Sequence, residues 1–304
     1  MRGADIWHRH HGAVPVGVID VGSNTVRLHV SRDGETLARE KAMLRLGESI
    51  ERFGAIPETK LAETANCVAG FVQQARRLGV GRLEVLVTSP GRQAENGDEL
   101  LSRLAASSGV PVRLLSSVEE GRLAFLGTAS ATRGPSRRLI AVCDVGGGSA
   151  QISVGTRRSG PAWVRSIDIG SMRLTARLLN DDPPGDVAVQ AARQEVDRLL
   201  EGIVPPLPET AYAVGGSARA LRSIFGAKLG IEELHEATVI LARTPGREIV
   251  ELYGIDPERV RTLAAGAVIL GAICERLGGL PLRVVRGGVR EGAASELAST
   301  LAAA

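Results

Sequence analysis

Residues 16–25, VGVIDVGSNT, and residues 139–149, LIAVCDVGGGS, are two versions of one motif. In each, an apolar run ends in Asp-Val-Gly, and small residues with hydroxyl or amide side chains follow. Such a run, stopped by glycine, is typical of a buried strand that enters a tight turn. Glycine lets backbone N–H groups approach a bound anion, and the aspartate can hold a cation or orient water. The pair predicts two related domains that face each other across a cleft of phosphate size.

The composition is that of a globular protein with room for two domains. The chain has 304 residues, of which 44% are hydrophobic and 23% charged. Its net charge of +3 is only a mild excess of base, aromatic residues make up 3%, and no dense Lys/Arg run occurs. We therefore expect no nucleic-acid partner, although a weak positive bias would help to attract a polyanion.

The cysteines and the N-terminal sequence indicate in which cellular compartment the protein is expected. Cys67, Cys143 and Cys274 are widely spaced and form no CxxC pair, so neither a zinc site nor a disulfide framework is indicated. No secretory signal and no apolar run of membrane length is visible, and we expect a cytoplasmic protein without a membrane partner. Residues 1–14 are predicted to be a disordered extension, and metal binding by its three histidines is the alternative.

The order of predicted elements repeats along the chain. In each half, strands come first and helices follow, which predicts two α/β domains with mixed sheets. The first half has predicted strands at 16–21, 26–31, 36–46, 83–88 and 112–115 and predicted helices at 57–78, 95–107 and 119–131. The second half has predicted strands at 139–143, 150–154, 162–168, 212–214 and 282–285 and predicted helices at 172–179, 187–201, around 220–221, at 263–277 and at 290–303. A turn is expected at 89–92, and the polar break at 132–136 divides domains at 15–133 and 134–304.

Six sequence blocks occur in the same order as in a known family. They are DVGSNT at 20–25, EEGRL at 119–123, DVGGGS at 144–149, GSMRL at 170–174, VGGS at 214–217 and VREG at 289–292. The series resembles the exopolyphosphatase / guanosine pentaphosphate phosphatase family, over about residues 15–295. The resemblance implies two actin-like (ribonuclease H-like) domains flanking an interdomain cleft, in the short two-domain form of actinobacterial type. It leaves room for the last helix to pack back on the first domain.

The glycine turns are the candidate phosphate-binding elements. Backbone donors of the second turn can wrap a phosphate, while hydroxyl and amide groups of the first turn can bind it from the opposite side; the alternative is a pair of tight turns without ligand. The resemblance assigns the phosphate-binding loop to the second turn and adds the VGGS block. The candidate phosphate-binding residues, apart from an arginine considered below, are Ser23, Asn24, Thr25, Gly146, Gly147, Gly148, Ser149, Gly215, Gly216 and Ser217.

Three acidic side chains are candidates for chemistry. A carboxylate such as Asp144, at the end of a buried strand, is costly unless a cation or several hydrogen bonds compensate it. The resemblance makes Asp144 a residue that organises Mg²⁺ or another divalent cation, and Glu120 the catalytic glutamate that positions or deprotonates water. Asp20 is a further metal candidate, with capping of its own turn as the alternative. From the residues alone, the pair Glu119 and Glu120 would be acids at a helix N-terminus.

Two other residues bear on the same chemistry. Arg92 matches an arginine that faces the cleft in relatives and can clamp phosphate oxygens, with a surface arginine as the alternative. Relatives usually carry a glutamate two residues after the loop serine, where this chain has Gln151. An amide oxygen can ligate a metal but brings no charge. Arg290 and Glu291 are expected to serve structure, by starting a helix and pairing across the domains.

These residues lead to one main function and several alternatives. The main expectation is a Mg²⁺-assisted hydrolase that releases terminal orthophosphate from inorganic polyphosphate, with short chains as substrates. The alternatives are guanosine pentaphosphate 5′-phosphohydrolase, a catalytically weakened polyphosphate- or nucleotide-binding regulator, and, less favoured, a sugar kinase. A homodimer is expected from the resemblance alone.

Overall fold

The computed structural model describes residues 13–302. Most of the predicted extension at 1–14, with its histidines, therefore lies outside the described residues. Across the part that is described, no helix combines the length and the apolar content needed to cross a membrane.

Residues 13–302 form eleven strands and thirteen helices. The strands are β1 (Val16–Val21), β2 (Thr25–Arg32), β3 (Glu35–Met43), β4 (Arg82–Val87), β5 (Val112–Leu114), β6 (Leu139–Val145), β7 (Ala150–Thr156), β8 (Gly160–Ile167), β9 (Thr210–Gly215), β10 (Lys228–Leu229) and β11 (Leu282–Val284). The helices are α1 (Leu46–Phe53), α2 (Glu58–Arg77), α3 (Ser89–Gln93), α4 (Gly97–Ser108), α5 (Ser117–Ala131), α6 (Ser171–Leu178), α7 (Asp186–Leu199), α8 (Gly216–Phe225), α9 (Ile231–Arg243), α10 (Gly246–Tyr253), α11 (Pro257–Val260), α12 (Leu263–Arg276) and α13 (Val289–Ala302).

The strands form two mixed sheets of the same design. The first has the order β3-β2-β1-β4-β5, and the second has β10-β11-β9-β6-β7-β8. In both, an antiparallel three-stranded meander is extended by two parallel strands: β4 and β5 in the first sheet, β9 and β11 in the second. The predicted α/β class with two mixed sheets is confirmed. The two sheets thus repeat one topology around the two copies of the motif.

β1 and β6 are the central strands that carry the two motifs. Their apolar runs are almost wholly buried because helices cover both faces of each sheet. Each run stops at its Asp-Val-Gly turn, so the two turns lie at equivalent edges of the two sheets. The sequence motif thus fixes the position of both turns in the fold.

Helices α5 and α13 lie between the sheets and join them. α5 starts with a capping box, in which Ser116 and Glu119 satisfy each other's backbone N–H groups. Its Phe125 packs on β6 and β9 of the second sheet, while Leu123 packs with α13 against the first sheet. The two helices cross so closely that a Cβ at Gly292 would lie 2.9 Å from the carbonyl carbon of Leu123. The domain division at 133/134 stays a prediction, and α13 contributes to the first sheet's core.

Several local predictions differ from the structure. The strand expected over 36–46 ends at Met43, and α1 and β10 had no predicted counterpart. The segment expected as a turn at 89–92 is the short helix α3, because Pro90 in its first turn is compatible with a helix start. The stretch from 231 to 262 gave no predicted element, yet it forms α9, α10 and α11.

Candidate active site

The two motif turns face each other across a small hollow. Each is closed by the same hydrogen bond, from Gly22 N to Thr25 O (3.1 Å) and from Gly146 N to Ser149 O (3.0 Å). The hollow has a volume of about 110 Å³. It is lined by Asp20, Gly22, Ser23, Asn24, Thr25, Arg27, Thr88, Ser89, Glu120, Asp144, Val145, Gly146, Gly147, Ser149, Gly215, Gly216, Arg219, Arg259, Gly287, Gly288, Val289 and Arg290.

Helix starts occupy the carbonyl groups of both turns. Ser23 O and Asn24 O accept from the backbone at the start of α1, and Gly146 O and Gly147 O accept from the start of α6. Within residues 13–302, no acceptor takes the N–H groups of Asn24, Gly147 or Gly148. Because the carbonyl groups of the turns are already hydrogen-bonded and these N–H groups are not, the turns are suited to bind an anion.

The hollow brings Asp20, Glu120 and Asp144 together. Asp20 Oδ2 accepts from Arg290 Nη1 (3.2 Å), and Glu120 Oε2 accepts from Arg92 Nη2 (2.8 Å). The Asp144 carboxylate takes no hydrogen bond or ion pair from any residue that the structure describes. Asp144 is therefore the one carboxylate of the three without a direct partner among the described residues.

Burial and mutual repulsion raise the pKa values of these acids. Desolvation raises the pKa of Glu120 to about 7, with Arg92 opposing the rise and the Asp144 charge adding to it. Desolvation also raises the pKa of Asp144 to about 6, helped by the Asp20 charge and opposed by Arg290. Burial raises the pKa of Asp20 despite its ion pair with Arg290. A carboxylate with a pKa near neutrality is suited to accept a proton at physiological pH.

The hollow also fits a divalent cation of the Mg²⁺ type. No cluster of three or more His, Cys, Asp or Glu side chains that could cage a metal is found in residues 13–302. Mg²⁺ does not need one, since it usually binds one or two carboxylates and keeps waters or substrate phosphates as its other ligands. Asp144, half-buried and without a partner among the described residues, and the second oxygen of Glu120 supply that donor set. Asp20 is engaged by Arg290 and is the weaker candidate.

Arginines dominate the side of the hollow away from the turns. Arg27, Arg219, Arg259 and Arg290 line both the hollow and an adjoining cavity of about 540 Å³. Burial lowers the pKa of Arg27 to about 9 and also lowers the pKa values of Arg219 and Arg259. Arg27 Nε is buried without a hydrogen-bond partner among the described residues. This concentration of half-buried positive charge is costly unless an anion compensates it.

Most of the predicted site residues line the hollow, but four do not. Arg92 donates to Glu120, to Leu115 O (2.7 Å) and, across the cleft, to Ser149 Oγ (3.5 Å), so it holds the acid and does not face the ligand space. The Ser217 side chain contacts Gly266 of α12, because α8 directs it toward the helices that pack on the second sheet and not toward the hollow. Gly148 packs its α-carbon against Ser23 and Ser89.

The fourth is Gln151, which was expected as a metal ligand. Its Nε2 donates to Ser149 Oγ (2.9 Å) and to Ser166 Oγ (3.3 Å), and the side chain does not line the hollow. It is the second residue of β7, two residues beyond Ser149.

Four arginines of the site were not predicted as ligand-binding residues. Arg27 could have been found, because side chains alternate along a strand and position 27 shares its face with Thr25 of the first turn. Arg290 was assigned a structural role, and it does pair across the two halves with Asp20. Arg259 lies on α11, in the stretch without a predicted element, and Arg219 follows the VGGS block with no signal of its own.

Comparisons with known proteins agree on one family. The family model described as the Ppx/GppA phosphatase family matches residues 25–300. Exopolyphosphatase 1 of Mycobacterium leprae is 31% identical over 298 residues, which cover 91% of this chain and 87% of the relative. A solved exopolyphosphatase-like protein has a TM-score of 0.86 at 22% identity and covers 96% of this chain and 99% of its own. The Ppx/GppA family member of Aquifex aeolicus has a TM-score of 0.80 at 24% identity, with 94% and 98% covered. At these identities the two structures show the fold.

Proposed function

The chain belongs to the Ppx/GppA phosphatase family, and we propose that it is an exopolyphosphatase that releases terminal orthophosphate from inorganic polyphosphate. The observation that carries the proposal is the shared hollow. Three carboxylates lie in it between two anion-binding turns, Asp144 has no hydrogen-bond or ion-pair partner among the described residues, and half-buried arginines continue from it. A phosphoanhydride end, with its high negative charge, matches the turns and the arginines, while the carboxylates are suited to hold a cation or to activate a water beside it.

Substrate binding is proposed to use both sides of the hollow. The terminal phosphoryl group would be held by N–H groups of Asn24 and Gly147 and by the Ser149 hydroxyl. The following phosphates would lie against Arg27, Arg219 and Arg259 in the adjoining cavity. No Phe, Trp or Tyr lines that cavity, so a phosphate chain suits it better than a stacked guanine base.

Hydrolysis then needs a water in line with the leaving phosphate. Glu120, held by Arg92, would accept a proton from that water, since its pKa of about 7 keeps a useful fraction ionised at neutral pH. Arginine side chains and turn N–H groups stabilise the charge that develops on the transferred group. A divalent cation held by Asp144, for which we propose Mg²⁺, would neutralise phosphate charge when bound.

The finer parts of the proposal are a preference for short chains, a cytoplasmic location and a homodimeric state. Support for short chains comes from the small size of the space lined by the turns and arginines, about 110 and 540 Å³ in the hollow and the cavity. The other two come from the family resemblance.

The test is orthophosphate release from tripolyphosphate through long-chain polyphosphate, with guanosine pentaphosphate measured beside them, in Mg²⁺ and in EDTA. The proposal expects release from polyphosphate that depends on the metal and exceeds release from the pentaphosphate. Absence of release at every chain length with Mg²⁺ present would refute it.

A further inference from the structure

The side-chain amide of Gln151 is directed at the hydroxyl of the phosphate-loop serine. Gln151 is 1% exposed and Ser149 is 2% exposed, so solvent does not compete for their hydrogen bond. Its Nε2 donates to Ser149 Oγ across 2.9 Å. The Arg92 guanidinium donates to the same oxygen from the other domain at 3.5 Å.

The number of donors around Ser149 Oγ determines what this hydroxyl can do. A hydroxyl has one O–H donor and two lone pairs. Here both lone pairs face N–H donors, so the oxygen has little capacity left to ligate a cation. Its own proton has no acceptor among the described residues, and Ser149 lines the hollow. The O–H group is left to donate to an acceptor in the hollow.

A glutamate at position 151 would reverse this polarity. A carboxylate only accepts hydrogen bonds, so it would take the Ser149 proton and turn a lone pair toward the hollow. It would also add a negative charge beside Asp144 and Glu120, which favours a cation and disfavours a phosphate.

We propose that Gln151 is a positioning residue that makes Ser149 a hydrogen-bond donor to a phosphate oxygen, so that this chain binds phosphate without first binding a metal. The proposal rests on the proposed function, because it concerns the same hollow. It concerns binding alone, however, and can hold even if polyphosphate is not hydrolysed.

Calorimetric titration of the whole chain with inorganic orthophosphate in EDTA tests the proposal. Wild type should bind, and Ser149→Ala should bind about ten- to a hundredfold more weakly, the worth of one hydrogen bond to a charged group. Gln151→Glu should lose at least as much. In a separate titration with Mn²⁺ alone, followed by electron paramagnetic resonance, Gln151→Glu should bind the ion about tenfold or more tightly than wild type, since one more carboxylate is present.

Ser153→Ala is the matched control. Ser153 is also buried on β7, next to Gly121 of α5, but it donates to Gly121 O and not to Ser149. It should leave phosphate binding in EDTA unchanged. If Gln151→Glu does not fold, Gln151→Met supplies a neutral side chain of similar length without a donor, and it should weaken phosphate binding without tightening Mn²⁺ binding.

Two results would overturn the proposal. One is equal phosphate affinity in EDTA for wild type and for the folded position-151 variants. The other is wild-type phosphate binding that appears only after a metal is added. Failure to hydrolyse polyphosphate, with the binding pattern intact, would refute the proposed function and leave this inference standing.

Discussion

Arg92 Nη2 donates to Glu120 Oε2 across 2.8 Å, and both side chains come from the first half of the chain. The remaining contacts of Arg92, with Leu115 O and Ser149 Oγ, keep its guanidinium out of the ligand space. Arg92 thus fixes the carboxylate that faces the hollow and links it to the opposite loop. We propose that it acts on the reaction through Glu120.

Glu120→Gln should lower kcat for orthophosphate release by about 10²- to 10⁴-fold, the contribution of a general base. Its neighbour Glu119 provides a control of the same type, because it is exposed and belongs to the capping box of α5. Glu119→Ala should cost about 1 kcal/mol of unfolding free energy and leave kcat nearly unchanged. Equal losses of kcat in the two variants would contradict the assignment.

Arg92→Met should move the pH profile to higher pH. The Arg92 charge opposes the rise in the pKa of Glu120, so without it that pKa lies above its present value of about 7. The base is then ionised only at higher pH, and the ascending limb of log kcat shifts in the alkaline direction. Steady-state rates from pH 5 to 9 measure the shift. Arg103→Met, which removes an arginine paired with Glu58 and Glu99 at the surface, should not move the limb.

Asp144→Asn should stabilise the fold at alkaline pH while abolishing activity. The pKa of Asp144 is about 6 in the folded chain against an ordinary 3.8, so the folded state binds the proton more tightly. Stability is therefore lost as pH rises from about 4 to 6. The variant escapes this loss and should exceed wild type by about 1 to 3 kcal/mol at pH 8, with little difference at pH 4. Urea unfolding in EDTA at pH 4 and pH 8 measures the free energy of unfolding of both proteins. A stabilisation of the same size at both pH values would contradict the raised pKa of Asp144.

Gly292→Ala should destabilise the chain by about 2 to 5 kcal/mol, because the added methyl meets backbone that cannot move aside. A Cβ there would lie 2.9 Å from Leu123 C and 3.1 Å from Gly127 N. Gly70→Ala in α2 is the comparison, since nothing lies within 4 Å of its Cβ position. It should stabilise by about 0.5 to 1 kcal/mol. Thermal unfolding of both variants tests the helix crossing.

Glu51→Ala should destabilise by about 1 to 3 kcal/mol, because Glu51 of α1 pairs with both Arg173 and Arg177 of α6 and is largely buried. Glu58, whose side chain is 66% exposed in its pair with Arg103, gives the reference: Glu58→Ala should cost less than about 1 kcal/mol. Chemical unfolding at low and high salt measures the loss of unfolding free energy in each of the two variants. Equal costs would show that the pairs between the two halves add nothing.

The sequence alone was sufficient to predict the two motif turns, but it did not predict the arginines that line the hollow. Asp20 and Asp144 lie at the ends of short apolar runs, and such runs are typical of buried strands. The positions of both residues in the fold could therefore be predicted from the sequence pattern alone. Arg259 reaches the hollow from a four-residue helix whose placement depends on tertiary packing, which no local pattern encodes. Gln151 was predicted as a metal ligand, whereas its amide donates to Ser149 and to Ser166 of the neighbouring strand, a direction set by strand pairing that the sequence does not encode.

The crossing of α5 and α13 sets a constraint on synthesis. The first sheet receives part of its apolar cover from α13, which the ribosome makes long after β1 to β5. Until that helix emerges, Val16, Val18 and Leu86 have only the part of their cover that Leu123 and Ala124 of α5 supply. A nascent chain stalled after residue 288 would expose this patch and be a natural client for chaperones.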